Sequence, residues 1–225
     1  MEKIGHRGAK AWIDENTLES IAKAIELGAD AVEIDVHMCK SGELIVIHDE
    51  TLKRTTNGRG KINKLTYEQI SKFNTTNGFT IPTLKEVLEF CESKCSIHIE
   101  LKGKGTAKKT AKLVTLLIKK ESWNYNQISI SSFKNSRLKK IQKIDSKIHL
   151  GLIANRNLKR KLQLCVQNNY FGFYAFHEKL RKPIVTLAKK KNLKIYCWTV
   201  NKRINIIKMQ TLNVDGIISD YPEKL

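Results

Sequence analysis

The feature that most limits what this chain can fold into is its alternation of short apolar runs with amphipathic stretches. Runs suited to buried strands occupy residues 4–7, 31–36, 96–101, 128–132, 148–152, 171–175, 194–198 and 216–219. Most intervals between them show helical period. Thr17 to Leu27 carries Leu18, Ile21, Ala22 and Ile25 on one face, and Pro183 to Asn192 repeats the pattern. A helix between two strands returns the chain to the same edge, so the strands pair in parallel. Eight such units in 225 residues fit an α/β chain closed into a (β/α)8 TIM barrel. An open doubly wound sheet would give the same alternation, and the strand pattern does not separate the two.

One segment breaks the rhythm. Leu44–His48 follows the 31–36 run after a short turn through Ser41-Gly42, too little chain for a crossover helix. It is expected to run antiparallel, as a hairpin on one end of the barrel. From Asp49 to about Cys95 the sequence is irregular, apart from a helix expected after Pro82-Thr83. Residues 49–95 read as an insertion between the second strand and its helix, within a single domain spanning residues 1–225.

Charge narrows the partners. Lys and Arg number 41 against 22 acids, a net +19, and 33 of the 41 are Lys. Residues 102–209 hold 27 basic residues and three acids, Glu121, Asp145 and Glu178, a local +24; the rest of the chain sums to −5. A basic half attracts polyanions, among them anionic lipid surfaces and phosphorylated substrates. The lysines have little aromatic interleaving, so no specific nucleic-acid partner is expected, and a solvated surface accounts for them equally well. Nowhere do roughly eighteen apolar residues run together, so no segment is expected to span a membrane. The opening Met1-Glu2-Lys3-Ile4-Gly5-His6-Arg7 lacks the order of an export signal, and five Cys is an odd number. Both point to a cytoplasmic chain with reduced thiols. The sequence sets no oligomeric state.

In a parallel barrel, chemistry sits at the C-terminal ends of the strands. The first strand ends in His6-Arg7-Gly8 and the hairpin delivers His48-Asp49. The second contains Glu33 and Asp35, two apart and so on one face, with apolar Val32, Ile34 and Val36 on the other. That places both acids inside the barrel. The third ends in Glu100-Leu101-Lys102, and the seventh in Trp198-Thr199-Val200-Asn201. Three inward carboxylates, Glu33, Asp35 and Glu100, need a cation, and an oxygen-only set suits one Mg²⁺ or Ca²⁺ rather than Zn²⁺. The alternative is a buried network of ion pairs with Arg7 and Lys102. Five charges gathered at three strand ends favour a site. Beside a divalent cation, His6 and His48 supply a general acid and a general base. His37, His98, His149 and His177 receive no role, and His98 is expected to face the helices. Asn16 with Glu19 is expected to open the first helix as a capping box, and Glu15 to orient Arg7.

Read together, Ile4-Gly5-His6-Arg7-Gly8, Glu15-Asn16-Thr17, Glu33-Ile34-Asp35-Val36, and His48-Asp49-x-Thr51-Leu52-x-Arg54-Thr55-Thr56-Asn57-Gly58 resemble the glycerophosphodiester phosphodiesterase family. Pro82-Thr83-Leu84, Glu100-Leu101-Lys102, Trp198-Thr199-Val200-Asn201 and Asp215 to Pro222 continue the resemblance in family order, from Ile4 to about Pro222. The resemblance implies a TIM barrel with a family-specific insertion after strand two. It also implies metal-dependent hydrolysis of glycerophosphodiesters to glycerol 3-phosphate and an alcohol, in glycerophospholipid metabolism. Position by position, the family's metal ligands fall on Glu33, Asp35 and Glu100, and its catalytic histidines on His6 and His48. Arg7 and Lys102 match its phosphate-contacting residues, and Trp198 an aromatic lining the glycerol pocket. Cys39 and Ser219 depart from the more usual Thr at both places. A rival from another class is an inactive barrel that binds anionic membrane or nucleic acid through its basic half. The complete set of carboxylates and histidines argues against it.

Overall fold

The structure, a computed structural model, describes residues 1–92 and 94–225. Along the chain come β1 (Glu2–His6), α1 (Leu18–Glu26), β2 (Ala31–Met38), β3 (Leu44–Val46), α2 (Tyr67–Ile70), α3 (Leu84–Cys91) and β4 (Ser96–Leu101). Then follow α4 (Thr106–Lys119), β5 (Ile128–Ser132), α5 (Asn135–Gln142), β6 (His149–Ala154), α6 (Leu158–Gln167), β7 (Gly172–Phe176), α7 (Lys182–Lys190), β8 (Lys194–Trp198), α8 (Arg203–Thr211) and β9 (Gly216–Ser219). Neighbours in the order β1-β9-β8-β7-β6-β5-β4-β2 are all parallel. Because β1 also pairs with β2, the sheet closes into a barrel and the open alternative falls away. β3 lies antiparallel on the free end of β2, Val36 opposite Val46, as the short Ser41-Gly42 turn requires.

Strand alternation sorts the side chains into layers. Val32, Ile34 and Val36 of β2 and Ile97, Ile99 and Leu101 of β4 face outward, packing with Leu84, Leu88 and Val114 of the helix layer. Inside the barrel Ile4, Ile153, Tyr174, Tyr196 and Ile218 pack together. The two inward tyrosines need room on the neighbouring strands. A Cβ at Gly151 would stand 2.1 Å from the Tyr174 ring, and one at Gly216 would stand 2.7 Å from Tyr196. Residues between β3 and α3 have a small core of their own, where Ile45, Ile47, Leu52, Ile62, Ile70 and Ile81 are buried together. α3 starts at a capping box, Thr83 accepting from the Glu86 N–H and Glu86 accepting in return from the Thr83 N–H.

Three local expectations are corrected. His98 points into the barrel, not at the helices. Its Nε2 donates to Glu2 (3.2 Å) and its Nδ1 accepts from the Tyr174 hydroxyl (2.7 Å). Strand period demands this, since His98 is two residues from inward-facing Glu100. The cap of α1 is Thr17, which accepts from the Ser20 N–H (3.1 Å), while Asn16 is drawn into the site described below. β1 ends at His6, because Arg7 takes a left-handed backbone (φ 54°) that a strand cannot hold.

Candidate active site

Register alone assembles most of the centre. In the pairing of β1 with β2, His6 stands beside Glu33; in that of β2 with β4, Asp35 stands beside Glu100. The carboxylates of Glu33, Asp35 and Glu100 therefore converge at the barrel mouth, each offering an oxygen within 4.8 Å of the others. Two cations edge the cluster. Arg7 Nε lies 3.0 Å from Asp35, and Lys102 Nζ lies 3.1 Å from Glu100 and 3.6 Å from Asp35. Asn16 grips Asp35 at both ends, its amide donating to Oδ2 and its carbonyl accepting from the Asp35 N–H, each at 3.1 Å.

These cations do not neutralise the cluster. Burial, with the charges of Asp35 and Glu100 added, holds Glu33 well above the ordinary carboxylate value. Burial and then Asp35 push Glu100 up to about 7 against the pull of Lys102. Asp35 alone is lowered: burial raises it, but the positive groups around it, Arg7 first, then Lys102 and the two histidines, together outweigh burial. Two of the three carboxylates are thus raised by burial and mutual repulsion, which is the condition a bound cation would relieve. Arg7 Nε is buried against Asp35 and pairs with it by charge, without an aligned hydrogen bond. The donor set is all oxygen and fits a hard divalent cation.

Each histidine is backed by a carboxylate. His6 Nδ1 donates to Asp220 (2.5 Å), which accepts from the Asn201 amide as well (2.8 Å). His48 Nδ1 donates to Asp49 (2.6 Å). With the proton on Nδ1, Nε2 is left as the acceptor on each ring. His6 Nε2 lies 4.0 Å from Glu33, and His48 Nε2 accepts from Lys102 Nζ (3.0 Å). Burial lowers both imidazoles below the ordinary 6.5. Both are therefore mainly neutral near pH 7, able to accept a proton at Nε2. The mouth can thus bind an anion, hold a cation and move protons on two sides. Trp198 joins His6, Glu33 and Glu100 in lining a small cavity in the barrel interior, its ring braced by Phe133 and Phe176.

All eight residues singled out from the sequence meet here. Glu15 holds Arg7 as expected, accepting from it at 2.8 Å. Other contacts escaped that reading. Glu15 also accepts from Arg54 (2.6 Å), and Arg54 in turn grips both oxygens of Asp49 (2.7 and 3.0 Å). His37 donates from Nε2 to the carbonyl of His48 (3.0 Å), fixing the hairpin end. Asp49 and Arg54 stood inside a quoted motif without a role. Asp220 is 214 residues from His6, and no local pattern links them.

Residues 6–224 match the model of the glycerophosphoryl diester phosphodiesterase family. The chain is 33% identical to a glycerophosphodiester phosphodiesterase of Caldanaerobacter subterraneus subsp. tengcongensis, over 99% of this chain and 95% of that relative. Another from Bacillus altitudinis is 31% identical over 100% of this chain and 96% of the relative. Among solved structures, an Oleispira antarctica phosphodiesterase in complex with the product sn-glycerol-3-phosphate superposes at a TM-score of 0.90 and 26% identity, covering 100% of this chain and 94% of that one. A glycerophosphodiester phosphodiesterase of Agrobacterium tumefaciens superposes at 0.86 and 28% identity, over 100% of this chain and 98% of that one.

Proposed function

The chain belongs to the glycerophosphoryl diester phosphodiesterase family, and on that footing we propose that it hydrolyses sn-glycero-3-phosphodiesters to glycerol 3-phosphate and the head-group alcohol. The observation that carries the reading is the convergence of Glu33, Asp35 and Glu100 between two carboxylate-backed histidines. These three acids would hold one divalent cation, Mg²⁺ or Ca²⁺. When bound, it would supply positive charge against the phosphate and the charge that grows in the transition state. Arg7 and Lys102 bind the phosphate oxygens from either side. One of His6 and His48 takes the proton of the attacking hydroxyl as the new P–O bond forms. The other, taking up a second proton at Nε2 to become the imidazolium before the bond breaks, gives that proton to the alkoxide. Asp220 and Asp49 keep the imidazoles turned with Nε2 inward, and Trp198 packs against the glycerol.

The same reading includes peripheral contact with an anionic membrane. Trp12, Ile204 and Ile207 are exposed, and Lys202 and Arg203 adjoin Ile204. Five free thiols support the cytoplasm as its compartment. The test of activity is release of glycerol 3-phosphate from glycerophosphocholine and related diesters, coupled to glycerol-3-phosphate dehydrogenase, with and without EDTA. Turnover that EDTA abolishes is expected, and no metal-dependent turnover of any glycerophosphodiester sinks the proposal. Co-sedimentation with anionic vesicles should weaken with salt; no binding even at low salt would leave the lysine excess as solvated surface.

A further inference from the structure

A cavity of about 590 Å³ lies beside the catalytic mouth, walled by the end of β2, the segment after β3 and the turn from β4 into α4. Its wall includes His37, Gly103, Glu50, Lys40, Lys61 and Lys104. Three of these tie it to the reacting centre. His37 is hydrogen-bonded to the His48 carbonyl, Gly103 follows Lys102, and Glu50 is two residues past His48. The interior cavity lined by Trp198 and His6 involves none of these residues. A diester held with its glycerol against Trp198 would therefore send its head group past Lys102 and His48 into this second space.

The charge of that space is selective. Lys40, Lys61 and Lys104 face it against the single acid Glu50, and none of the three forms an ion pair among the described residues. Lys40 and Lys61 are not samples of a uniformly basic coat, since they lie outside residues 102–209, in the part of the chain that sums to −5. Gly105 on the same wall is the N-cap of α4 with no side chain capping the first turn, which adds partial positive charge. No Phe, Tyr or Trp lines the cavity among the described residues, so a quaternary ammonium would lack the electron-rich face it packs against best.

Resting on the phosphodiesterase reading, we infer that this cavity receives the head group and selects alcohols that carry a further anionic group, such as a phosphate monoester. Exposed lysines each contribute modestly, so the three together give a preference of roughly tenfold, shrinking with salt.

The experiment compares kcat/KM for glycerophosphoinositol 4-phosphate, glycerophosphoglycerol and glycerophosphocholine at low and high salt. The expected order falls from the anionic to the cationic head group, compressed at high salt. In the triple variant Lys40→Glu, Lys61→Glu, Lys104→Glu, the order should flatten or invert. Inositol 4-phosphate, tested as a competitive inhibitor of the parent protein, should bind roughly tenfold better than inositol, a readout that needs no variant to fold. Hydrolysis of all three diesters with ratios within about twofold, or ratios unmoved by charge reversal, overturns the cavity assignment and leaves the phosphodiesterase reading standing. No hydrolysis of any of them overturns both.

Discussion

In the metal-free protein, Glu100→Gln should remove a destabilisation that grows with pH. Burial, then Asp35, raises Glu100 from the ordinary 4.5 to about 7. A carboxyl that binds its proton more tightly in the folded chain makes that chain hold more protons than the unfolded one between these two values. Its contribution to stability is therefore intact below pH 4.5 and is lost as pH climbs to about 7. At about 1.4 kcal/mol for each tenfold in proton affinity, the full loss is about 3 kcal/mol. Only 12% of the side chain is exposed, so solvent screening removes little of it. For a chain of this length, that is roughly 6–12 °C in Tm. The parent's own pH curve does not isolate the effect. His6 and His48 are lowered by burial, and what they cost at low pH is recovered as pH rises to 6.5. The pull of Lys102 titrates together with the Glu100 carboxyl and is already contained in its raised value, so it needs no separate allowance. The readout is therefore the difference between variant and parent, followed by circular dichroism melts in EDTA from about pH 5 to about pH 8. The variant should gain on the parent across that range. Saturating Mg²⁺ or Ca²⁺ at the upper pH should then raise the parent's Tm by more than the variant's. A variant–parent difference that is flat with pH, or a parent Tm that neither cation moves, refutes the reasoning.

Further outcomes follow from the same geometry. His6→Ala and His48→Ala should each lower kcat by about 10²–10⁴-fold while calorimetric metal affinity stays near the parent's, since neither imidazole belongs to the carboxylate cluster. Asp220→Asn should lower kcat by a similar ~10²–10⁴-fold with KM little changed, because an amide can offer N–H to Nδ1 and move the imidazole proton to Nε2; a kcat within about threefold of the parent's would count against it. Gly151→Ala should cost about 1–3 kcal/mol in urea unfolding, as its Cβ would meet the Tyr174 ring at 2.1 Å. Near- and far-ultraviolet melts should coincide in one transition if residues 49–95 and the barrel fold as a single domain; an earlier separate transition would divide them.

The fold was legible because each of its rules is local. Period two put Glu33 and Asp35 on one face of β2, and a turn through Ser41-Gly42 left no room for a helix before β3. The same rule would have turned His98 inward with Glu100. What period cannot encode is contact across the ring. Closure itself rests on β1 meeting β2 and β9, and the pairing of His6 with Asp220 exists only because the first and last strands become neighbours there. Glu15 and Arg54, 39 residues apart, meet because the insertion folds back over the loop after β1. Asn16, legible as a helix cap, is drawn from that role by the buried Asp35, whose carboxylate and N–H it satisfies together.

The placement of His48 shows why the insertion must be rigid. His6 stands at the end of a barrel strand held on both edges, whereas His48 and Asp49 follow a three-residue strand paired along one edge and bridged on the other at Ile45–Thr83. A short strand of that kind is weakly held by its ladder alone. Three other constraints fix it: Ile45 and Ile47 are buried in the insertion's own core, His37 donates to the His48 carbonyl, and Arg54 anchors Asp49 to Glu15. Glu15 is also the partner of Arg7, so a shift of the hairpin would disturb Arg7 along with His48. The two sides of the mouth are therefore tied together by one half-buried carboxylate, and on the proposed mechanism this bridge sets the spacing of the two imidazoles.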